Sequence, residues 1–268
     1  MITGVLINGE PSDGRIAVTD STVLRGDGCF EVMKSYGGRP FAVDEHFDRL
    51  ELSAAALGIS LPARADLVSW VEKVAGELGE GAVRVIVTRG SSVPGLDDPS
   101  NVIVFGHTWD LPPDEGRLLP IEAPWHSAGV PWDLAGAKVT SYAPNMAASR
   151  RARAEGYDDA LLVTTDGQIL EGPTFAVAWV VDGVLETPSL DLGILDSITR
   201  RVALEVAAGI GIDVTERRWQ LSRLEMASEV CAWSTLREVQ PITAVGGLTY
   251  GAGPITATLA KGFRGRVG

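Results

Sequence analysis

The sequence predicts an α+β fold in two domains, with mostly antiparallel sheets and helices. Three observations carry this. Short β-rich runs alternate with stretches of helical periodicity along the chain. Strong turn pairs, Gly37-Gly38, Asp166-Gly167 and Asp182-Gly183, join neighbouring apolar runs as hairpins. A length of 268 residues with 45% apolar content suffices for one large or two modest domains.

The elements follow in order. CFEVMKSYGGRPFAV reads as two strands about Gly37-Gly38. Asp44 is expected to cap a helix through HFDRLELSAAALG, closed by Gly58. A second amphipathic helix fits 64–78, and AVRVIVTRG and NVIVFGHTW are β-rich. LPPDEGRLLP, residues 111–120, mixes proline, glycine and charge, which predicts a boundary. The expected division is a small N-terminal α/β domain at 1–112, an interdomain linker at 113–120 and a larger C-terminal domain at 121–268. That second domain is expected to begin with strands, then a helix from about Asn145 to Glu155. DDALLVTTDGQILEG and FAVAWVVDGVLETP follow as hairpins. GILDSITRRVALEVAAGIG opens an apolar helix ending near Gly209, capped by Asp196 or Ser197.

Composition narrows the function. The net charge is −12, from 35 acids against 23 bases, which disfavours a nucleic-acid surface. The Arg150, Arg151 and Arg153 cluster alternates with alanine and reads as a solvated helix face. No apolar run of about 18 residues occurs, so no membrane span is expected. MITGVLINGEPSDG lacks the pattern of a secretion signal, and Cys29 and Cys231 are too few for a disulfide framework; a cytoplasmic protein is expected. His46, His107 and His126 are scattered, without metal-ligand spacing, so no metal is expected. GxSxG and GxxxxGK[ST] motifs are absent.

Lysine is scarce: Lys34, Lys73, Lys138 and Lys261 are the whole set. Lys138 ends a β-like segment away from acids, and a lysine amine is a nucleophile only when deprotonated. DSIT, 196–199, opens a helix whose free N–H groups suit a phosphate, and Thr199 adds a hydroxyl. Arg49, three residues after His46, offers a bidentate phosphate contact. Glu171 follows GQIL and precedes Gly172-Pro173, where a carboxylate can pair with a protonated ring nitrogen. Taken singly, each also fits an ordinary surface residue.

Taken together, RGDGCFEVMKSYGGRPFAVDEHFDRL, KVTSYAPNMAASRRARAEGYDDALLVTTDGQILEG, GILDSITR and STLREVQPI resemble the fold-type IV (class IV) pyridoxal-phosphate enzymes. That family holds branched-chain aminotransferases, D-amino acid transaminases, R-selective amine transaminases and aminodeoxychorismate lyases. The resemblance implies pyridoxal 5'-phosphate as cofactor, bound mainly by the C-terminal domain, with Lys138 as the Schiff-base lysine. It implies Arg49 on the phosphate and Tyr142 near the pyridine hydroxyl. Glu171 would partner the pyridine nitrogen, and Leu195 would pack on the ring. Ser197, Ile198, Thr199, Ser234 and Thr235 would complete the cofactor contacts. Two departures stand out: Ser197 replaces the family's usual glycine, and Ala176 replaces an asparagine.

The same resemblance implies an enzyme using a small-molecule amino donor and a keto acid, as a homodimer, without nucleic acid or membrane. D-amino acid transamination, with R-amines as further donors, ranks first. 4-Amino-4-deoxychorismate lyase activity is the alternative, and branched-chain aminotransferase activity ranks below it. D-amino acid transaminases commonly carry an Arg-x-His carboxylate trap where this chain reads VPGLDD. Arg237 is the expected replacement, with Lys34 and Arg89 next and Phe30 and Leu236 as apolar substrate contacts.

Overall fold

The computed structural model describes residues 1–91, 93, 99–108 and 112–267, and VPGLDD lies largely outside them. The chain forms two units: Met1–Asp110 with Ala137–Tyr142, and Leu111–Gly136 with Ala143–Gly268.

Unit 1 is built on a six-stranded antiparallel sheet of order β2-β1-β6-β5-β3-β4. Its strands are β1 (Ile2–Ile7), β2 (Glu10–Pro11), β3 (Gly28–Tyr36), β4 (Arg39–Pro40), β5 (Gly81–Thr88) and β6 (Val102–His107). Its helices are α1 (Ser21–Arg25), α2 (Val43–Leu57) and α3 (Arg64–Leu78). Side chains alternate across β3, so Cys29, Glu31, Met33 and Ser35 are buried while Phe30, Val32, Lys34 and Tyr36 are only half-buried. The buried face meets Phe47 and Leu50 of α2 and Leu67, Val71 and Val74 of α3. Each such side chain contributes about 1.5–3 kcal/mol on burial.

α2 begins two residues earlier than expected. Its N-cap is Ala42, which makes no side-chain cap bond; Asp44 instead lies in the first turn with Glu45, where a carboxylate favours the helix dipole. The stop at Gly58 is as expected: φ is 65°, and its N–H reaches the carbonyls of Ala54 and Ala55. α3 has the expected bounds.

Unit 2 holds an eight-stranded sheet of order β11-β10-β9-β12-β13-β7-β8, with β14 on β13. The strands are β7 (Gly116–Glu122), β8 (Asp159–Val163), β9 (Ala176–Val181), β10 (Val184–Pro188), β11 (Val214–Arg217), β12 (Glu229–Ser234), β13 (Glu238–Val245) and β14 (Leu248–Thr249). Pairing is antiparallel except at β10–β11, β13–β7 and β7–β8. α4 (Ala143–Ala154), α5 (Ile198–Gly209) and α6 (Pro254–Arg264) complete the unit. α4 starts two residues before the expected Asn145, with Pro144 tolerated in its first turn.

The expected linker, 113–120, is mostly strand. β7 lies between β13 and β8, with Leu118 fully buried and Ile121 nearly so. The proline and glycine content suggested a boundary, but the LLPI stretch supplies core residues. Nor is the second unit continuous in sequence, because Ala137–Tyr142 belongs to unit 1. Among the described residues no helix is long and apolar enough to cross a membrane.

Candidate active site

The predicted residues divide between the units. Unit 1 holds Lys138 on a segment stitched to β3. The Lys138 N–H donates to Ser53 Oγ at 3.0 Å, and its carbonyl accepts from the Phe30 N–H at 3.0 Å. The Thr140 N–H donates to the Gly28 carbonyl at 2.8 Å, and Thr140 Oγ1 to that of Gly26 at 2.7 Å. The lysine therefore has a fixed root. Its Nζ lies 4.6 Å from the Phe30 ring centroid and 5.7 Å from that of Tyr142. The two rings meet edge to face at 5.3 Å. Lys138, Phe30 and Tyr142 are thus one cluster.

Arg49 is buried on α2. Its Nε and Nη2 donate to the two oxygens of Glu31 at 2.7 Å each, and His46 Nδ1 lies 2.8 Å from Glu31 Oε2. Burial alone pushes the Glu31 carboxyl up; the Arg49 charge, the Arg49 hydrogen bonds and His46 outweigh it and hold the group well below the carboxylate range. Burial pushes His46 down from 6.5, against its bond to Glu31. The guanidinium is oriented by a buried acid that the sequence reading did not single out. The signal was present: Glu31 occupies a core position in the alternation of β3, and an acid there needs a partner.

Arg84 was also missed. It is half-buried on β5, opposite Val32 of β3, and its Cζ stacks 5.5 Å from the Phe30 ring centroid. Among the described residues it makes no ion pair, and burial lowers its pKa. Phe30 thus has Lys138 and Arg84 as cationic neighbours. The sequence signal was a lone arginine inside the apolar run AVRVIV.

Unit 2 holds Glu171, whose carbonyl accepts from the Leu162 N–H of β8 at 2.8 Å. Its Oε2 accepts from the Leu195 N–H at 3.2 Å, and its Oε1 lies 3.8 Å from His126 Nε2. The next residue must be small: a Cβ on Gly172 would meet the Phe175 ring at 2.1 Å. Ser197 is the N-cap of α5, its Oγ accepting from the Arg200 N–H at 3.3 Å, so this departure from glycine supplies a cap. Asp196 does not cap; it pairs with Arg201 at 2.6 Å. Ile198 and Thr199 are buried in the first turn. Ser234 Oγ accepts from the Arg237 N–H at 3.2 Å, closing the β12–β13 connection that carries Thr235 and Leu236. Ala176 is buried at the start of β9, opposite Trp233.

Two expected substrate residues have structural partners instead. Arg237 Nη2 donates to the buried Asp159 at 2.8 Å and Nη1 to Gln240 at 2.6 Å, and the guanidinium stacks 4.6 Å from the Phe175 centroid. A buried carboxylate on β8 claims this charge. Arg89 forks onto Asp27, at 3.0 Å for Nη2–Oδ1, and donates to the Leu57 carbonyl at the end of α2. Lys34 Nζ lies 4.7 Å from the Tyr36 centroid on the half-buried face of β3.

Each unit carries donor types that suit pyridoxal phosphate: a rooted primary amine and a buried arginine in unit 1, a carboxylate and a capped helix start with hydroxyls in unit 2. Residues 28–245 match the family described as Amino-transferase class IV. The chain is 32% identical to a D-alanine aminotransferase of Listeria monocytogenes over 97% of this chain and 94% of that protein. It is 30% identical to a bifunctional aminodeoxychorismate lyase / D-amino acid transaminase of Mycobacterium tuberculosis over 96% of each. It superposes with a TM-score of 0.87 on a hypothetical aminotransferase from Mycobacterium tuberculosis in PLP-bound form, at 28% identity and 98% coverage of each chain. The cofactor of such enzymes is pyridoxal 5'-phosphate. This chain belongs to the class IV aminotransferases and has their fold-type IV architecture.

Proposed function

We propose that the protein moves an amino group between a D-amino acid and a keto acid, with Lys138 as the reacting amine. When bound, pyridoxal phosphate supplies the electron sink. Lys138 Nζ then carries the proton between substrate Cα and cofactor C4′. Phe30 and Tyr142 stand beside the amine, their ring centroids 4.6 and 5.7 Å from Nζ. With the cofactor bound, Glu171 would hold the proton on the pyridine nitrogen, Leu195 would pack on the ring, and Tyr142 would lie near the pyridine hydroxyl. Arg49, Ser197, Ile198, Thr199, Ser234 and Thr235 bind the phosphate end.

The observation that carries the choice of an acid substrate is Arg84. A half-buried arginine with no ion pair among the described residues, stacked on the ring beside Lys138, is suited to a carboxylate. Arg84 takes the part that the sequence reading gave to Arg237 and Arg89. The named D-alanine and D-amino acid transaminase relatives support the D configuration. A homodimer in the cytoplasm belongs to the same reading, and two free buried thiols fit a reducing compartment.

The deciding assay follows pyruvate in two mixtures. D-alanine with 2-oxoglutarate is expected to yield pyruvate and glutamate. Pyruvate from 4-amino-4-deoxychorismate without an added keto acid, and none from D-alanine, would establish the lyase in its place.

A further inference from the structure

We propose that His126 is a positioning residue for Glu171, holding the carboxylate that faces the cofactor's ring nitrogen; this rests on the assignment of Glu171 proposed above. The geometry sets the histidine's tautomer. The Ala128 N–H donates to His126 Nδ1 at 3.1 Å, so Nδ1 is the acceptor and the neutral ring carries its proton on Nε2. Nε2 is the atom directed at Glu171 Oε1, at 3.8 Å, while Oε2 takes the Leu195 N–H. One carboxylate oxygen thus accepts a backbone hydrogen bond, and the other has the imidazole Nε2 within ion-pair distance. Both side chains are largely buried, 13% and 15% exposed, so water competes weakly for the contact.

The surrounding bonds fix this pair. His126 follows β7 in a turn closed by its own N–H on the Ala123 carbonyl at 3.0 Å. The neighbouring Trp125 donates through Nε1 to Asn145 Oδ1 at 2.9 Å. The same Asn145 donates through Nδ2 to the Pro173 carbonyl at 3.3 Å, two residues beyond Glu171. One asparagine of α4 thus ties the segment carrying the histidine to the segment carrying the acid.

Two substitutions separate positioning from loop support. In His126→Asn the amide oxygen replaces Nδ1 and keeps the Ala128 bond but loses the donor toward Glu171. In His126→Gln the longer amide places an N–H near the site of Nε2. With pyridoxal phosphate as probe, His126→Asn is expected to weaken retention in equilibrium dialysis by about threefold to tenfold, the scale of a weak polar contact to a charged group. It should move the visible band of the bound cofactor in the direction that Glu171→Gln moves it. His126→Gln should restore both. Rescue by Asn rather than Gln, or an unchanged band in both, overturns the proposal and leaves His126 a loop residue. If Glu171→Gln itself leaves the band unchanged, the assignment of Glu171 falls, and the proposal with it.

Discussion

The backbone N–H of Lys138 donates to Ser53 Oγ at 3.0 Å, and that hydroxyl donates in turn to the carbonyl of Arg49 at 2.9 Å. One buried serine of α2 therefore ties the root of Lys138 to Arg49, the residue proposed for the phosphate.

Removing that hydroxyl tests whether the root matters. Ser53→Ala leaves the half-buried Lys138 N–H without its acceptor, a loss of about 1 kcal/mol. The melting temperature should fall and kcat with it, while Lys138→Ala should keep its melting temperature and lose turnover. A Ser53→Ala enzyme of unchanged kcat would show that the strand bonds to β3 place the lysine alone.

Stability should fall on mild acidification because of His46. Its folded pKa lies below the ordinary 6.5, through burial first, so the unfolded chain binds the extra proton. The contribution is full above pH 6.5 and is lost as pH drops toward the folded value. Glu31 adds a second loss lower down: its folded pKa is depressed, so its contribution holds above 4.5 and drains away in stronger acid. Melting curves should therefore decline from about pH 6.5 downward, and His46→Gln should flatten that first decline.

Arg84→Gln should raise KM for D-alanine and for the keto acid. Losing an arginine–carboxylate contact costs about 2–5 kcal/mol, at least roughly thirtyfold. An uncharged R-amine such as 1-phenylethylamine has no carboxylate to lose, so its KM should hardly change. Equal damage to both donors would return the acid-binding role to another residue.

Arg237→Leu should act on stability. It abandons Asp159, which is buried on β8, and breaking a buried pair costs about 3–5 kcal/mol. Thermal melting should show this, and the ratio of KM values for acid and amine donors should stay as it is. A selective rise in the acid's KM would restore the role first expected from the sequence.

What could be read from the sequence was local. The Gly58 stop, the helix at 64–78 and the Gly37-Gly38 and Asp182-Gly183 hairpins depend on neighbouring residues, and all are in place. β7 was hidden because its partners, β8 and β13, lie far along the chain, while its own composition resembles a connector. Lys138 stood out by scarcity. Its Phe30 and Ser53 contacts did not, since they link residues separated by about a third of the sequence or more. Arg237 and Arg89 misled because a charge read without its fold has no visible partner; Asp159 and Asp27 supply those partners.

The six residues Ala137–Tyr142 join unit 1, yet the chain on either side of them belongs to unit 2. During synthesis the first 110 residues emerge without the segment that lies on β3. That segment arrives only after β7 has been made. Placing the amine therefore closes a loop of more than a hundred residues back onto β3, a contact the N-terminal stretch cannot make by itself. A ribosome-bound chain halted before residue 137 would carry the Phe30 ring and the Glu31–Arg49 pair without Lys138 to set beside them.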